Sequence, residues 1–211
     1  MIFVTGIDTG VGKTLVSAIA VHALGATYWK PIQAGDLHQS DSMIVHELTN
    51  CAIVPEKVRL KRACSPHAAA AQEETLIRLK EIQPPNRRPL VVEGAGGIMA
   101  PINMKETMLD LMIHLQMPVL LTARHYLGSI NHTLMTLTLL RERVPILGIV
   151  YSGQVTWSSR DVVRSQFPEV PDFQIPNLDK VDAHAITCQA HRFAPVLKQW
   201  VARWQAHRNE S

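Results

Sequence analysis

The stretch Gly6-Ile7-Asp8-Thr9-Gly10-Val11-Gly12-Lys13-Thr14 decides the fold. It follows an apolar run at residues 2–5, typical of a buried strand, and opens a helical pattern over residues 13–24. Glycines let backbone N–H groups surround phosphate oxygens, and a helix N-terminus adds the positive end of its dipole. The Lys13 side chain can reach β and γ phosphates, and the Thr14 hydroxyl suits Mg²⁺. The residues predicted to hold ATP are Gly10, Val11, Gly12, Lys13 and Thr14.

The spacing of this loop departs from the general phosphate-loop pattern. That pattern has four residues between its first glycine and the Gly-Lys pair, whereas five lie between Gly6 and Gly12. A glycine-rich turn with a surface lysine is the alternative. The strand before the loop and the helix after it favour phosphate binding.

Short apolar runs alternate with longer helical patterns along the chain. The predicted strands are residues 2–5, 27–31, 90–93, 119–122 and 146–151. The predicted helices are residues 13–24, 41–48, 68–79, 107–115, 130–143 and 183–207. This alternation predicts an α/β fold, a doubly wound and mostly parallel sheet of the P-loop NTPase type, in a single domain over residues 1–211. Residues 154–176 show no clear pattern.

Composition narrows the class of protein. Hydrophobic residues make up 46% of the chain and charged residues 18%, which supports a packed core and excludes disorder. A formal net charge of +3 favours neither nucleic acid nor membrane as a partner. The three cysteines include no C-x-x-C pair, and the first residues do not resemble a signal peptide. We therefore expect a cytoplasmic protein without disulfides or zinc.

A carboxylate and three glycines follow the predicted strand at residues 90–93, in Glu93-Gly94-Ala95-Gly96-Gly97. Ligands of open α/β sheets bind at the carboxyl ends of the strands. Mg²⁺ prefers oxygen ligands, so Glu93 is a candidate ligand beside Thr14, and the glycines allow an anion close to the backbone. An ordinary tight turn with an exposed glutamate is the alternative.

Lys30 and Asp41 are the other candidate charges at this edge of the sheet. Lys30 lies in an apolar run, where an unpaired charge is costly, so an anion such as phosphate or carbamate would explain it. The alternative is a lysine at an exposed strand end. Asp41 opens a helix and is either its N-cap or a third Mg²⁺ ligand. The residues leave both interpretations open.

Six segments, in this order, resemble the dethiobiotin synthetase family. They are residues 5–14, 30–35, 40–41, 65–73, 92–97 and 127–132. The resemblance covers most of residues 1–153 and is weak beyond Ser152. The five-residue spacing in the phosphate loop is itself a feature of the family.

The resemblance implies an ATP-dependent reaction that joins CO₂ to 7,8-diaminononanoate. A carbamate on one amine attacks the γ-phosphate, and the second amine then closes the ring of dethiobiotin and expels phosphate. By resemblance, Lys13 and Lys30 hold the carbamate and neutralise the phosphoryl group, with Thr9 and Gly10 lining that pocket. Thr14, Asp41 and Glu93 hold Mg²⁺. Ala34, Gly96 and Gly97 are implied to contact the substrate.

The resemblance also implies a homodimer with composite sites. Residues of one subunit would bind the terminal carboxylate of the substrate for the other subunit's site. These residues are Leu127, Gly128, Ser129, Ile130 and Asn131. The alternative role for Ser129 is N-capping of the helix at residues 130–143.

Two positions depart from the family pattern. Ala34 stands where members often have a hydroxyl residue, so one contact to the carbamate would be absent. Ser152 stands where many members have an asparagine that contacts adenine, and Pro176 would lie in the second base-contacting loop. We therefore expect weaker selectivity for the base.

Two other functions are alternatives to this one, and the sequence argues against both. Partitioning ATPases, which act as switches, carry a second lysine early in the phosphate loop, where this chain has Asp8. Amidoligases of cobalamin synthesis usually carry a further glutaminase domain, for which 211 residues leave no room. The ten histidines show no H-E-x-x-H or comparable metal-ligand spacing.

Overall fold

A computed structural model describes residues 1–154 and 156–210 of the chain; Val155 and Ser211, which belong to the predicted domain, lie outside the described residues. The described residues form nine strands and seven helices. The strands are β1 (Ile2–Gly6), β2 (Thr27–Trp29), β3 (Ile32–Ala34), β4 (Ile53–Val54), β5 (Val58–Leu60), β6 (Leu90–Gly97), β7 (Val119–Ala123), β8 (Ile146–Ser152) and β9 (Asp172–Ile175). The helices are α1 (Lys13–Leu24), α2 (Asp41–Thr49), α3 (Pro66–Gln72), α4 (Met108–Leu115), α5 (Ser129–Arg141), α6 (Trp157–Gln166) and α7 (Ala183–Glu210).

The predicted doubly wound parallel sheet is confirmed. Seven strands lie in the order β4-β2-β6-β1-β7-β8-β9, and every pair among them is parallel. β3 and β5 form a separate parallel pair. Because all seven strands run the same way, the chain leaves each of them at one edge of the sheet, where β1, β2 and β6 are neighbours.

Alternating side chains of the strands enter cores on the two faces of the sheet. Ile2 and Val4 of β1 pack with α1 and α7 on one face, whereas Phe3 packs with α4 on the other. In β2, Tyr28 packs on the face of α1 and α7, and Trp29 packs on the face of α4. This period of two, with apolar residues at every position, is that of a strand covered by helices on both sides.

One predicted helix is wrong. Residues 68–79 were expected to be one helix, but α3 ends at Gln72, and Glu74 adopts a left-handed conformation with φ of 49°. The chain then continues extended into a 3₁₀ turn at Leu79–Glu81, and Ile77, Leu79 and Ile82 are buried along it. Their apolar spacing therefore reflects core contact of an extended segment rather than a helix face.

The other predicted helices and strands agree with the structure to within a few residues, whereas the short strands β3, β4 and β5 were not predicted. β6 continues to Gly97, so its last glycines belong to the strand that carries Glu93. The segment without a clear pattern contains α6 and β9. Among residues 1–154 and 156–210, no helix combines the length and the apolar content needed to cross a membrane.

A substitution at Gly148 of β8 tests how closely α7 packs on the sheet. A Cβ at this position would lie 2.5 Å from Trp200 Cζ3 and 2.8 Å from the Pro171 carbonyl oxygen. Since the backbone oxygen cannot yield freely, Gly148→Ala should lower the free energy of unfolding by about 1–3 kcal/mol. Urea denaturation measures it, with the exposed helix substitution Gln205→Ala as the control. Equal midpoints for the two variants would contradict the close packing.

Candidate active site

The phosphate loop connects β1 to α1 with glycine at the positions that need it. Gly12 precedes the helix with φ of 93°, and Gly10 has φ of 73°, both in the left-handed region that favours glycine. Lys13 is the first helical residue, so the N-terminus of α1 adjoins the phosphate loop directly. The sequence folds here as predicted.

The side chain of Lys13 lies folded back over this loop. Its Nζ donates a hydrogen bond to the Asp8 carbonyl oxygen at 2.8 Å, and the residue is buried. Burial lowers the pKa of Lys13 below its ordinary value; Lys30 adds to this effect, and Glu93 opposes it. Within the described residues Lys13 makes no ion pair. Its ammonium is therefore held beside the loop and available to an anion.

Four side chains from four elements meet next to the loop. Thr14 Oγ1 of α1 lies 2.6 Å from Asp41 Oδ1 and 3.1 Å from Glu93 Oε1. Lys30 Nζ pairs with Asp41 Oδ2 and lies 3.5 Å from Glu93 Oε1. Lys30 and Glu93 are buried, with 6% and 1% of their surface exposed. The alternatives of an exposed Lys30 and an exposed Glu93 are therefore wrong.

Mutual attraction favours the charged forms of Lys30 and Asp41. Burial would lower the pKa of Lys30, but the carboxylates of Glu93 and Asp41 outweigh burial and raise it above its usual value. Burial would likewise raise the pKa of Asp41, whereas Lys30 and the Thr14 hydroxyl hold it below its usual range. Two carboxyl groups thus lie against one ammonium.

Asp41 is not the N-cap of α2. Ser40 is the N-cap, and its Oγ accepts a hydrogen bond from the Met43 backbone N–H at 3.4 Å. Asp41 follows as the first helical residue. Because Ser40 satisfies the end of the helix, the Asp41 carboxylate is free to turn toward Thr14 and Lys30.

These residues line one end of a cleft of about 940 Å³. The predicted site residues that line it are Thr9, Gly10, Gly12, Lys13, Thr14, Lys30, Ala34, Asp41, Glu93, Gly96 and Gly97. The cleft continues to α5, where it is lined by His132, which ends the segment 127–132, and by three residues that sequence reasoning did not find, Met135, Thr136 and Leu139. Their spacing of three to four residues is that of one helix face, which a search for polar motifs overlooks.

Three predicted nucleotide contacts lie outside this cleft. Val11 is buried in the core. Ser152 is 6% exposed and lies behind the loop, where its Oγ would be 2.5 Å from a Cβ added to Gly12. Pro176 is exposed, immediately after β9. Ser152 thus packs against the phosphate loop from behind. Only a nucleotide base that is bound behind the loop could contact it.

Residues 127–131 also lie outside the cleft of their own chain. Leu127 is fully exposed, and Asn131 is exposed on the first turn of α5. Ser129 does not cap the helix as the alternative supposed: Gly128 is the N-cap, with φ of 97°. Ser129 is the first helical residue, and its Oγ accepts from the Tyr126 backbone N–H at 3.3 Å.

Sequence reasoning missed one residue of the charge cluster. The hydroxyl of Tyr28 donates a hydrogen bond to Glu93 Oε2 at 2.9 Å, and Tyr28 is wholly buried. Tyr28 lies two residues before Lys30, on the same face of the chain, which is the only signal that the sequence offers. The pairing of β2 with β6, which brings it to Glu93, is not visible in the sequence.

Comparisons with known proteins show which family the chain resembles. A family model described as an AAA domain matches residues 1–185. The chain is 51% identical over 165 residues to the ATP-dependent dethiobiotin synthetase BioD of Paramagnetospirillum magneticum, covering 77% of this chain and 80% of that protein. It is 48% identical over 159 residues to that of Christiangramia forsetii, covering 72% and 75%.

A solved structure of a putative plasmid partition protein from Borrelia burgdorferi, bound to AMPPNP, shares the fold. Its TM-score is 0.54 at 10% identity, and the match covers 96% of this chain and 97% of the other. At that identity the likeness concerns the fold alone. It does not favour the partitioning function over the enzyme.

Proposed function

The chain belongs to the ATP-dependent dethiobiotin synthetase family, and from that premise we propose that its cleft converts 7,8-diaminononanoate, CO₂ and ATP to dethiobiotin, ADP and phosphate. One observation carries the proposal beyond the family name. Two lysines, two carboxylates and a hydroxyl from separate elements converge beside the phosphate loop at one end of a cleft. This is the combination that phosphoryl transfer to a carbamate requires.

The proposed magnesium site consists of Thr14, Asp41 and Glu93. The Thr14 hydroxyl lies within hydrogen-bond distance of one carboxylate oxygen of Asp41 and one of Glu93, and oxygen atoms are the ligands that Mg²⁺ prefers. Among the described residues, no group of three or more His, Cys, Asp or Glu side chains is placed to hold a metal ion. Mg²⁺ does not need such a group, because it keeps several waters and takes phosphate oxygens beside one or two carboxylates. The ion would neutralise charge on the triphosphate.

The two lysines are proposed to act on the reacting groups. Lys13 would hold the terminal phosphate, since its ammonium lies at the loop without an ion pair. Lys30 would hold the carbamate oxygens as one of them attacks the γ-phosphorus and ADP leaves. Fixed positive charge at the place where negative charge develops is the main protein contribution to such a step. The second amine then attacks the carbamate carbon, loses its proton and displaces phosphate.

Lys30 and the proposed metal ion would compete for the carboxylates of Asp41 and Glu93, which suggests how the site is prepared for the carbamate. In the free chain the two carboxylates hold the Lys30 ammonium. If Asp41 and Glu93 held a divalent cation, its charge would repel the Lys30 ammonium and their hold on Lys30 would weaken. The lysine would then be released toward the carbamate when metal and nucleotide are in place.

The proposed homodimer is supported by the surface at the far end of the cleft. Met99 and Met135 line the cleft and are 55% and 56% exposed, and Leu127, which lies outside the cleft, is fully exposed. Exposed apolar side chains at the rim of a site are typical of an interface. Residues 127–131, which do not reach their own cleft, would contact the substrate bound to a second subunit.

Product analysis tests the reaction. With ATP, Mg²⁺, bicarbonate and 7,8-diaminononanoate, the protein should release dethiobiotin and phosphate in equal amounts, as measured by mass spectrometry and a phosphate assay. Lys30→Ala should lower kcat by about 10²–10³-fold because one preorganised charge is lost. Lys57→Ala, at an exposed lysine, is the matched control. ATP hydrolysis that does not depend on the diamine would contradict the proposal.

Mixing two inactive variants tests the composite site. Lys30→Ala and Asn131→Trp should each be inactive alone, because one disables the phosphate end and the other blocks the carboxylate contact. After exchange of subunits in a 1:1 mixture, half of the dimers are hybrids, each with one intact site, so about a quarter of wild-type activity should return. An active monomer in sedimentation, or a mixture that stays inactive, would exclude composite sites.

Selectivity for the base is expected to be loose. The phosphate loop grips the triphosphate, which all nucleotides share, and Ser152 offers one short hydroxyl where an asparagine would offer a donor and an acceptor. GTP or CTP should therefore support turnover within about tenfold of ATP in kcat/KM. The measurement compares the four triphosphates at equal Mg²⁺. A preference for ATP above about a thousandfold would mean that another element reads adenine.

A further inference from the structure

The carboxylate of Glu93 is held from behind by a tyrosine. The Tyr28 hydroxyl donates to Glu93 Oε2 at 2.9 Å, while Glu93 Oε1 faces Thr14 at 3.1 Å and Lys30 at 3.5 Å. Tyr28 and Glu93 are 0% and 1% exposed, so water does not compete for either oxygen. The two oxygens of one carboxylate therefore have separate partners.

The register of the sheet creates this contact. Tyr28 of β2 pairs with Val91 of β6, and Glu93 lies two residues further along the same strand. Since side chains two residues apart share a face, the Tyr28 ring lies on the face covered by α1, where it packs with Val16, Val21 and other core residues of that face. The ring cannot leave without opening the core, so its hydroxyl is a fixed donor.

We propose that Tyr28 is a positioning residue for the metal site: its hydroxyl holds Glu93 Oε2 so that Oε1 alone is presented to the divalent cation beside Thr14. This inference rests on the proposed magnesium site. Without the hydroxyl, Oε2 would be a buried acceptor lacking its donor, and such a group seeks another partner. The Lys30 ammonium, which pairs with Asp41 and lies 3.5 Å from Glu93 Oε1, is a donor in the same cluster. A carboxylate turned onto Lys30 binds the lysine more tightly and the metal less.

Tyr28→Phe tests this because it removes the hydroxyl and keeps the ring in the core. Calorimetric titration of Mg²⁺ into the protein–ADP complex should show a Kd raised roughly three- to tenfold, the factor that one hydrogen bond is worth. Binding of ADP without metal should not change. The readout is binding alone, so it separates this inference from the reaction: a protein that forms no dethiobiotin can still pass or fail it.

A double-mutant cycle shows whether Tyr28 acts through Glu93. Glu93→Gln should itself weaken Mg²⁺, and Tyr28→Phe should add no further loss in that background. The Glu93→Gln/Tyr28→Phe variant also lacks the buried charge, so it remains measurable if Tyr28→Phe alone folds poorly. An equal loss of metal affinity in both backgrounds would overturn the proposal.

Tyr151 supplies the matched control. It is a second buried tyrosine of the same sheet, on β8, and its hydroxyl has no hydrogen-bond partner among the described residues. Tyr151→Phe should leave the Mg²⁺ Kd unchanged. If Tyr28→Phe lowers the melting temperature while the Mg²⁺ Kd stays at the wild-type value, the Tyr28 hydroxyl is a structural group only and the positioning role is wrong.

Discussion

The buried ammonium of Lys30 is the constraint on which the site depends. A charge that is 6% exposed is stable only if it is paired, and removing a partner costs far more than the pair itself contributes. Its partners come from α2 and β6, which are separated from it in sequence by 11 and 63 positions. The fold must therefore bring β2, β6 and the start of α2 together before Lys30 can be buried, and the same arrangement is the proposed metal site.

The parallel sheet explains why these residues converge. Strands that run in one direction deliver their last residues to one edge, so Lys30 after β2, Glu93 on β6 and the loop after β1 need no special path to meet. Helix α1 then closes the group by placing Thr14 on its first turn. Helix dipole, backbone N–H groups and two lysines bring positive charge to the phosphate loop, and the carboxylates beside it are the proposed cation ligands. The proposed anion and cation sites are thus adjacent because of the topology.

Local pattern predicted the loop, α1 and the five central strands of the sheet, because strand and helix periods and the glycine spacing are properties of consecutive residues. The cost of burying a charge also predicted correctly that Lys30 needs an anionic partner, but the partners in the free chain are Asp41 and Glu93 rather than phosphate or carbamate.

The pairing of side chains depends on which strands are neighbours and in what register, and neither is a property of consecutive residues. The same limit hid Tyr28, whose hydroxyl meets Glu93 only through the register of β2 with β6. It also explains the wrong helix at residues 68–79, where apolar spacing reflected core contacts of an extended chain.

Lys30 and the proposed metal ion would share the same two carboxylates, and this bears on the order in which metal and substrate bind in the proposed reaction. A site whose acids were unpaired in the free chain would carry buried negative charge, which is costly, and one whose lysine were permanently bound would offer nothing to a carbamate. Lys30 between Asp41 and Glu93 would avoid both, because it pairs with the acids in the free chain and would be released if they held a divalent cation. On the proposed function, that exchange would work only if Glu93 stayed turned toward the metal position while Lys30 withdrew. A second donor on the far oxygen of the carboxylate supplies that restraint, so the tyrosine behind Glu93 and the lysine in front of it are parts of one arrangement.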